Sequence, residues 1–348
     1  MPPLGDLTVV DLSTLLPGPL ATRILAAAGA RVVKVERPGG EDMRRMPPLS
    51  DGRSLVYEML NAGKEIVELD LKDPADRERL EVVLASADVL VEQFRPGVMA
   101  RLGLDPVALL ERYPKLVICS ITGYGQTGPL AQTAGHDLDY LAEAGLLALA
   151  QTTAEGLPAL PAVLLADIAG GAYPAVMAIL LALLERHRSG RGRHLDVAMA
   201  PNLLTLVPWA LAQGLGGLGW PAPGSGLTGG GSPRYAVYRT ADGRLLAAAP
   251  LEERFWQQFC EAIDLPPALR DDAADPEGTR RAVAARIARK TAAEWERLLA
   301  GLDTCCAPVR TLAEVAEHPQ FRDRFRRRAD GLPVLPLPLP EGLSAEGA

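Results

Sequence analysis

The chain has 348 residues, 48% of them hydrophobic and 23% charged, enough apolar side chains for roughly two globular domains. Its formal net charge of −7 argues against a nucleic-acid partner, and 34 Gly with 30 Pro point to tight turns and long connections. The four cysteines, Cys119, Cys260, Cys305 and Cys306, have no metal-ligand spacing. They read as small buried hydrophobes in a reducing compartment, and no metal site is expected. Met1-Pro-Pro-Leu-Gly-Asp lacks the basic and apolar parts of a signal peptide. The apolar run from Leu164 to Leu184 contains Asp167, Gly170-Gly171 and Pro174, so a buried core helix is expected rather than a membrane span. A soluble, cytoplasmic protein with no membrane partner is the expectation.

The first half alternates strand and helix. Strands are predicted at Leu7–Leu12, Arg31–Glu36, Glu65–Leu69, Asp88–Glu92 and Leu116–Ile121, with helices at Pro19–Ala28, Asp73–Ala85 and Asp105–Arg112. Short strands alternating with helical patterns imply a largely parallel α/β sheet. A helix is expected from Asp137 to Ala150. A longer one runs from near Asp167 to Arg188, with basic residues in its last turn and Gly190 after it. His194–Met199 reads as one more strand.

From about residue 201 the character changes. Residues 214–231 are rich in Gly and Pro and read as a linker or irregular loop. Tyr235–Thr240 and Arg244–Ala249 flank Ala241-Asp242-Gly243 as a hairpin. Helical patterns follow at Glu253–Ile263, Arg280–Lys290 and Ala292–Leu302, and the proline-rich tail from Leu332 must be extended. The expected organisation is an α/β domain over 1–200, a linker over 201–233, a smaller α+β domain over 234–310, and a segment over 311–348 returning to the first domain.

Gly123-Tyr-Gly-Gln-Thr-Gly128 matches G-x-G-x-x-G after a predicted strand. A dinucleotide fingerprint also needs a helix opening at the glycines and an acidic residue ending the next strand. Pro129 follows at once and the next pattern is helical, so a nicotinamide site is disfavoured. The segment reads instead as a glycine loop whose backbone N–H groups can approach a ligand.

Gly135-His136-Asp137 and Asp167 carry the chemistry. A lone histidine is more often structural than catalytic, but His136 stands where a helix opens, and a positive helix end favours the neutral imidazole that a general base requires. Asp167 taken alone is a candidate helix cap. Its apolar flanks would instead place the carboxylate in a water-poor setting with a raised pKa. Two facing acid/base groups suit removal and return of a proton on a carbon next to a carbonyl. Backbone N–H groups at the start of the helix from Asp137 are candidate donors to the enolate oxygen.

Several motifs together resemble the family III CoA-transferase (CaiB/BaiF) superfamily and its α-methylacyl-CoA racemase branch. They are Leu16-Pro-Gly-Pro-Leu-Ala21, Arg31-Val-Val-Lys-Val-Glu-Arg-Pro38, Asn61-Ala-Gly-Lys64, Leu69-Asp-Leu-Lys72, Phe94-Arg-Pro-Gly97, Arg101-Leu-Gly103 and Thr122–Pro129. Gly135-His-Asp137, Leu164-Leu-Ala-Asp167, Tyr238-Arg-Thr-Ala-Asp-Gly243 and Ala307-Pro-Val309 extend the resemblance over residues 5–325. The resemblance implies a Rossmann-like large CoA-binding domain, a smaller α+β domain and an interlocked homodimer. It implies that Asp167 is the shared catalytic carboxylate: a nucleophile in transferases, an acid/base in racemases. Racemases add a pair matching His136 and Asp137, and a Glu matching Glu252. Arg37, Lys64, Phe94, Arg95 and Arg101 match positions used around CoA. Arg95 and Arg101, in one short Pro-Gly segment, are the stronger candidates. Two departures are visible: Asp139 stands where racemase-like members often carry Asn, and Gln93 replaces a frequent Asn beside Phe94.

The leading expectation is therefore an isomerase that exchanges the α-proton of 2-methyl-branched acyl-CoA thioesters. CoA would be part of the substrate, and no tightly bound cofactor is expected. The alternative is a CoA-transferase passing through a covalent Asp167 intermediate. A nucleotide-dependent oxidoreductase and a non-catalytic CoA-binding scaffold are weaker readings.

Overall fold

The computed structural model describes residues 2–345. Six parallel strands form the main sheet: β1 (Thr8–Asp11), β2 (Arg31–Glu36), β3 (Glu65–Glu68), β4 (Val89–Glu92), β5 (Val117–Thr122) and β6 (His194–Ala198). Their order is β3-β2-β1-β4-β5-β6, every pair parallel. β4 and β5 are buried along their whole length, as strands are when helices cover both faces of a parallel sheet. Val10, Leu90 and Ile118 pack with Leu80, Leu84 and Leu109 of the helices Pro74–Leu84 and Pro106–Arg112. The helices Pro17–Ala27 and Tyr173–Ser189 pack on each other and on β1 and β5. The strand order reverses between β1 and β4, which opens a crevice outside their carboxyl ends. That crevice is where ligands bind in open α/β sheets.

The chain divides into two compact units. The first contains residues 1–144, 162–206 and 323–348, and the second contains 145–161 and 207–322. The sequence-based boundaries therefore shift. Residues 145–161 pack with the second unit because that unit satisfies their polar groups: Gln151 Nε2 donates to the Gly229 carbonyl, and the Gly224 N–H donates to Leu149. Of the expected linker, 201–206 stays with the first unit and Pro208–Leu215 is helical. The C-terminal return begins at 323, after a short helix, Leu312–Glu317, that still belongs to the second unit.

In the second unit, three antiparallel strands, β7 (Ala236–Arg239), β8 (Leu245–Ala248) and β9 (Cys306–Pro308), are ordered β9-β8-β7. Trp256, Phe259, Val283, Ile287 and Trp295 from three helices pack with Tyr238 and Leu246 of this sheet.

Two helices depart from expectation. The one expected over 137–150 spans only Asp137–Glu143, because Gly145 takes a left-handed φ of 79° that ends the first helical run. The helix Ala166–Ser189 is long and apolar enough to cross a membrane by composition, and where the sequence suggested a buried core helix only part of it is buried. Ala175, Ile179 and Ala182 face the core, while Met177, Leu181 and Leu184 are exposed. The cysteines also differ from expectation. Cys119 and Cys260 are buried, but Cys305 is exposed on a left-handed turn.

Candidate active site

The loops following β1, β4, β5 and β6 converge above the sheet. Two cavities open there, of about 400 Å³ and about 420 Å³, and both are lined by Thr14, Leu15 and Phe94. The first continues over Leu12, Val35, Leu69, Leu71 and Leu102, with Arg37 and Lys72 also in its wall. The second continues over Arg95, His136, Asp139, Tyr140, Asp167 and Met199. Residues distant in sequence, His136 and Asp167, thus share one cavity.

His136 is the N-cap of the helix Asp137–Glu143, in extended conformation. The Asp139 carboxylate accepts the His136 N–H at 2.8 Å, so the Asp at this departure position fixes the backbone that carries the imidazole. Asp167 lies in the first turn of a π-helical segment, Ala166–Ala172, that leads into the long helix. Such wide turns leave carbonyls without their usual helical partners. Here Asn202 Nδ2 donates to the Gly170 carbonyl at 2.8 Å. A Cβ on Gly170 would lie 2.5 Å from the Met199 carbonyl oxygen, so only glycine allows this approach.

The buried Asp137 ties the two groups together, since its Oδ1 accepts the Asp167 N–H at 2.9 Å. Burial, reinforced by the Asp137 charge and offset by His136, raises the Asp167 pKa from 3.8 to about 6. A carboxyl titrating there can give and take protons near neutrality. Tyr140, one helical turn beyond His136, donates from its hydroxyl to the Gly135 carbonyl at 2.6 Å, and burial pushes its pKa up to about 12. Its ring explains two glycines: a Cβ on Gly123 or Gly135 would lie 2.4 or 2.7 Å from Tyr140 Cε1. Tyr140 was not singled out from the sequence, although the i, i+4 spacing from His136 was there to be read.

Two sequence expectations change, and two are narrowed. Lys64 is not a phosphate contact: its side chain is enclosed, and its ammonium donates to Asp11, the Pro19 carbonyl and Asn61. Those three bonds use all its donors. Burial, only partly offset by Asp11, lowers its pKa to about 8. In the Gly123–Gly128 loop two amides are committed within the fold and not to a ligand: the Gly125 N–H donates to Thr122 Oγ1 and the Gln126 N–H to Asp196 Oδ2. In the helix carrying His136, the Asp139 and Tyr140 N–H groups bond back to the His136 carbonyl, so of the expected oxyanion donors only the Asp137 and Leu138 amides remain as candidates. Arg101, exposed at the end of the short helix Val98–Arg101, lines neither cavity.

Arg37 and Arg95 are exposed and do line cavities, although Arg37 is also paired with Asp42. Glu252 stands exposed in the second unit as the N-cap of the helix Glu253–Ala262. Among the described residues no cluster of His, Cys, Asp and Glu is arranged to hold a metal ion.

The helix end that holds dinucleotide phosphates in this sheet topology is closed here. In the helix Pro17–Ala27, Pro17 and Pro19 have no N–H to give, and the Gly18 N–H is taken by Gln93 Oε1 at 2.9 Å. A Rossmann-like sheet with this end closed, and with a raised carboxyl beside an imidazole at its crevice, defines a class of acid/base or acyl-transfer protein rather than a nicotinamide enzyme.

Comparison with known proteins gives the class its family. Residues 4–328 match the model of CoA-transferase family III. Alpha-methylacyl-CoA racemase of Homo sapiens is 36% identical over 328 residues, covering 92% of this chain and 81% of the relative. Acetyl-CoA:oxalate CoA-transferase of Acetobacter aceti is 32% identical over 337 residues, covering 92% of this chain and 84% of the relative. The solved structure of Rv3272 from M. tuberculosis superposes with a TM-score of 0.84 at 30% identity, covering 97% of this chain and 92% of the other. The chain belongs to CoA-transferase family III, an enzyme family whose relatives here include both racemases and CoA-transferases.

Proposed function

We propose that the protein is an acyl-CoA racemase that exchanges the α-proton of 2-methyl-branched acyl-CoA thioesters. The observation that carries this reading is the shared cavity of His136 and Asp167, with the carboxyl held near pH 6. One group removes the α-proton of one configuration while the other delivers a proton to the opposite face, and the roles exchange for the reverse reaction. Each such group contributes roughly 10²–10⁴-fold. Asp137 acts on Asp167 through its backbone N–H and its charge.

The thioester end of the substrate belongs in the cavity of His136. The nucleotide end belongs in the apolar slot reached past Thr14, Leu15 and Phe94, with Arg37 and Lys72 at hand for phosphate and Arg95 beside the reacting group. No resident cofactor or metal is required. The exposed stripe of Met177, Leu181 and Leu184 fits association of two chains, consistent with a homodimer, which sedimentation equilibrium would test.

The test is α-proton exchange in deuterium oxide with 2-methylacyl-CoA and no added acid. Exchange that requires both His136 and Asp167 is expected; exchange seen only with a free carboxylic acid acceptor refutes the reading. The second reading, CoA transfer through an Asp167 anhydride and thioester, draws on the transferase relatives. It predicts a hydroxylamine-sensitive adduct on Asp167 and tolerance of His136→Ala.

A further inference from the structure

The turn after β1 forms the wall common to both cavities, through Thr14 and Leu15. Leu15 adopts φ 62°, the left-handed region that a branched aliphatic residue rarely enters. A residue stays there only when its surroundings over-determine it, and such strain gathers at functional sites. Glu41, from the loop after β2, accepts the Leu15 N–H on Oε2 at 2.9 Å. Lys34 Nζ lies 3.1 Å from Glu41 Oε1 and donates to the Ser13 carbonyl at 2.8 Å. The Lys34 and Glu41 side chains are 0% and 3% exposed. Two buried charges are therefore committed to one short turn, an arrangement that costs desolvation.

We propose that Glu41, with Lys34 as its counter-charge, is a positioning residue that holds the strained Leu15 turn as the shared wall of the two cavities and thereby sets affinity for the CoA portion of the substrate. The inference rests on the reading of those cavities as an acyl-CoA site. Glu41 acts through the Leu15 amide. With that acceptor gone, Leu15 relaxes toward negative φ and carries Thr14 with it. A glycine at 15 would hold the left-handed conformation without steric penalty, so the need for the clamp should fall.

The test is CoA binding by titration calorimetry, with exchange kinetics in parallel. Glu41→Leu is expected to weaken CoA binding and raise KM about tenfold, with kcat within about threefold of the unmodified protein. Glu41→Gln keeps an acceptor for the Leu15 N–H and should stay within about threefold on both. In a Leu15→Gly background, Glu41→Leu should shift affinity by less than about threefold, the non-additivity expected of coupled neighbours. Equal losses in the two backgrounds overturn the proposal, as does unchanged binding in Glu41→Leu or a Glu41→Gln defect as large as that of Glu41→Leu. If Glu41→Leu fails to fold, hydrogen exchange of the Leu15 amide in the unmodified protein decides: protection is expected, and exchange at the rate of an open loop overturns the clamp. An unmodified protein that binds no CoA would refute the functional reading instead, leaving the amide exchange to judge the clamp.

Discussion

Replacing Asp167 by Asn removes the charge while keeping the shape of the side chain, and should make the fold more stable while stopping the chemistry. The carboxyl titrates at about 6 in the folded chain against 3.8 as its ordinary value, for want of water and because Asp137 stands beside it. At ~1.4 kcal/mol per pH unit, that rise amounts to ~3 kcal/mol against the ionised form. Asp167 is partly exposed, so screening by water reduces the expectation to ~2 kcal/mol. The sign follows from proton binding. Between pH 3.8 and 6 the folded chain holds this proton more tightly than the unfolded chain does. Stability from this group is therefore full below 3.8, falls as pH rises through 6, and is constant above.

Asn carries no such penalty. The melting temperature of Asp167→Asn should thus exceed that of the unmodified chain by about 4–8 °C at pH 7.5, with about a third of the free-energy difference remaining at pH 4.5. Thermal unfolding followed by circular dichroism at the two pH values reads this directly. A variant less stable at pH 7.5, or a difference independent of pH, refutes the account of Asp167 as a carboxyl disfavoured by burial.

In the unmodified enzyme, kcat/KM for α-proton exchange should lose activity on the acid side with an apparent pKa near 6, as the Asp167 base is protonated; a rate flat from pH 5 to 8 would contradict it. His136→Ala should lower exchange by roughly 10²–10⁴-fold, and a variant exchanging at the native rate would move the chemistry to Asp167 alone. Gly18→Ala puts a Cβ 2.2 Å from Ser13 Cβ and 2.4 Å from Gln93 Oε1, and should cost ~1–3 kcal/mol in urea unfolding; wild-type stability would show that this helix end is loose. Lys64→Met leaves the buried Asp11, whose pKa burial raises but Lys64 and Lys34 pull below the usual carboxylate range, without its main partner. A loss of ~3–5 kcal/mol is expected, and a stable variant with selectively impaired CoA binding would restore Lys64 as a ligand contact.

Much of the fold is legible in the chain itself. Strands Arg31–Glu36 and Glu65–Glu68 and the helix Pro74–Leu84 follow local signals: β-branched runs, and a proline one residue after a capping Asp. Asp73 does accept the Ala75 N–H, and Gly190 does close the long helix in a left-handed conformation. His136 and Asp167 could be named from sequence because each is a polar residue in a setting that tolerates few.

What only the tertiary structure decided was who partners whom. Lys64 and Arg95 are both basic residues in short loop motifs. One is enclosed by Asp11 and Asn61 and the other lines the cavity, a difference set by contacts across the fold. The Gln126 amide turns to Asp196 because β5 and β6 are neighbours, which no local pattern encodes. Likewise the pairing of Asp137 with the Asp167 amide, the closure of the Pro17 helix end by Gln93, and the strained Leu15 turn held by Glu41 join residues far apart in sequence. Periodicity and capping act within a turn or two of chain and can be read from it. Burial of charge and the satisfaction of lone N–H groups depend on which elements meet in space.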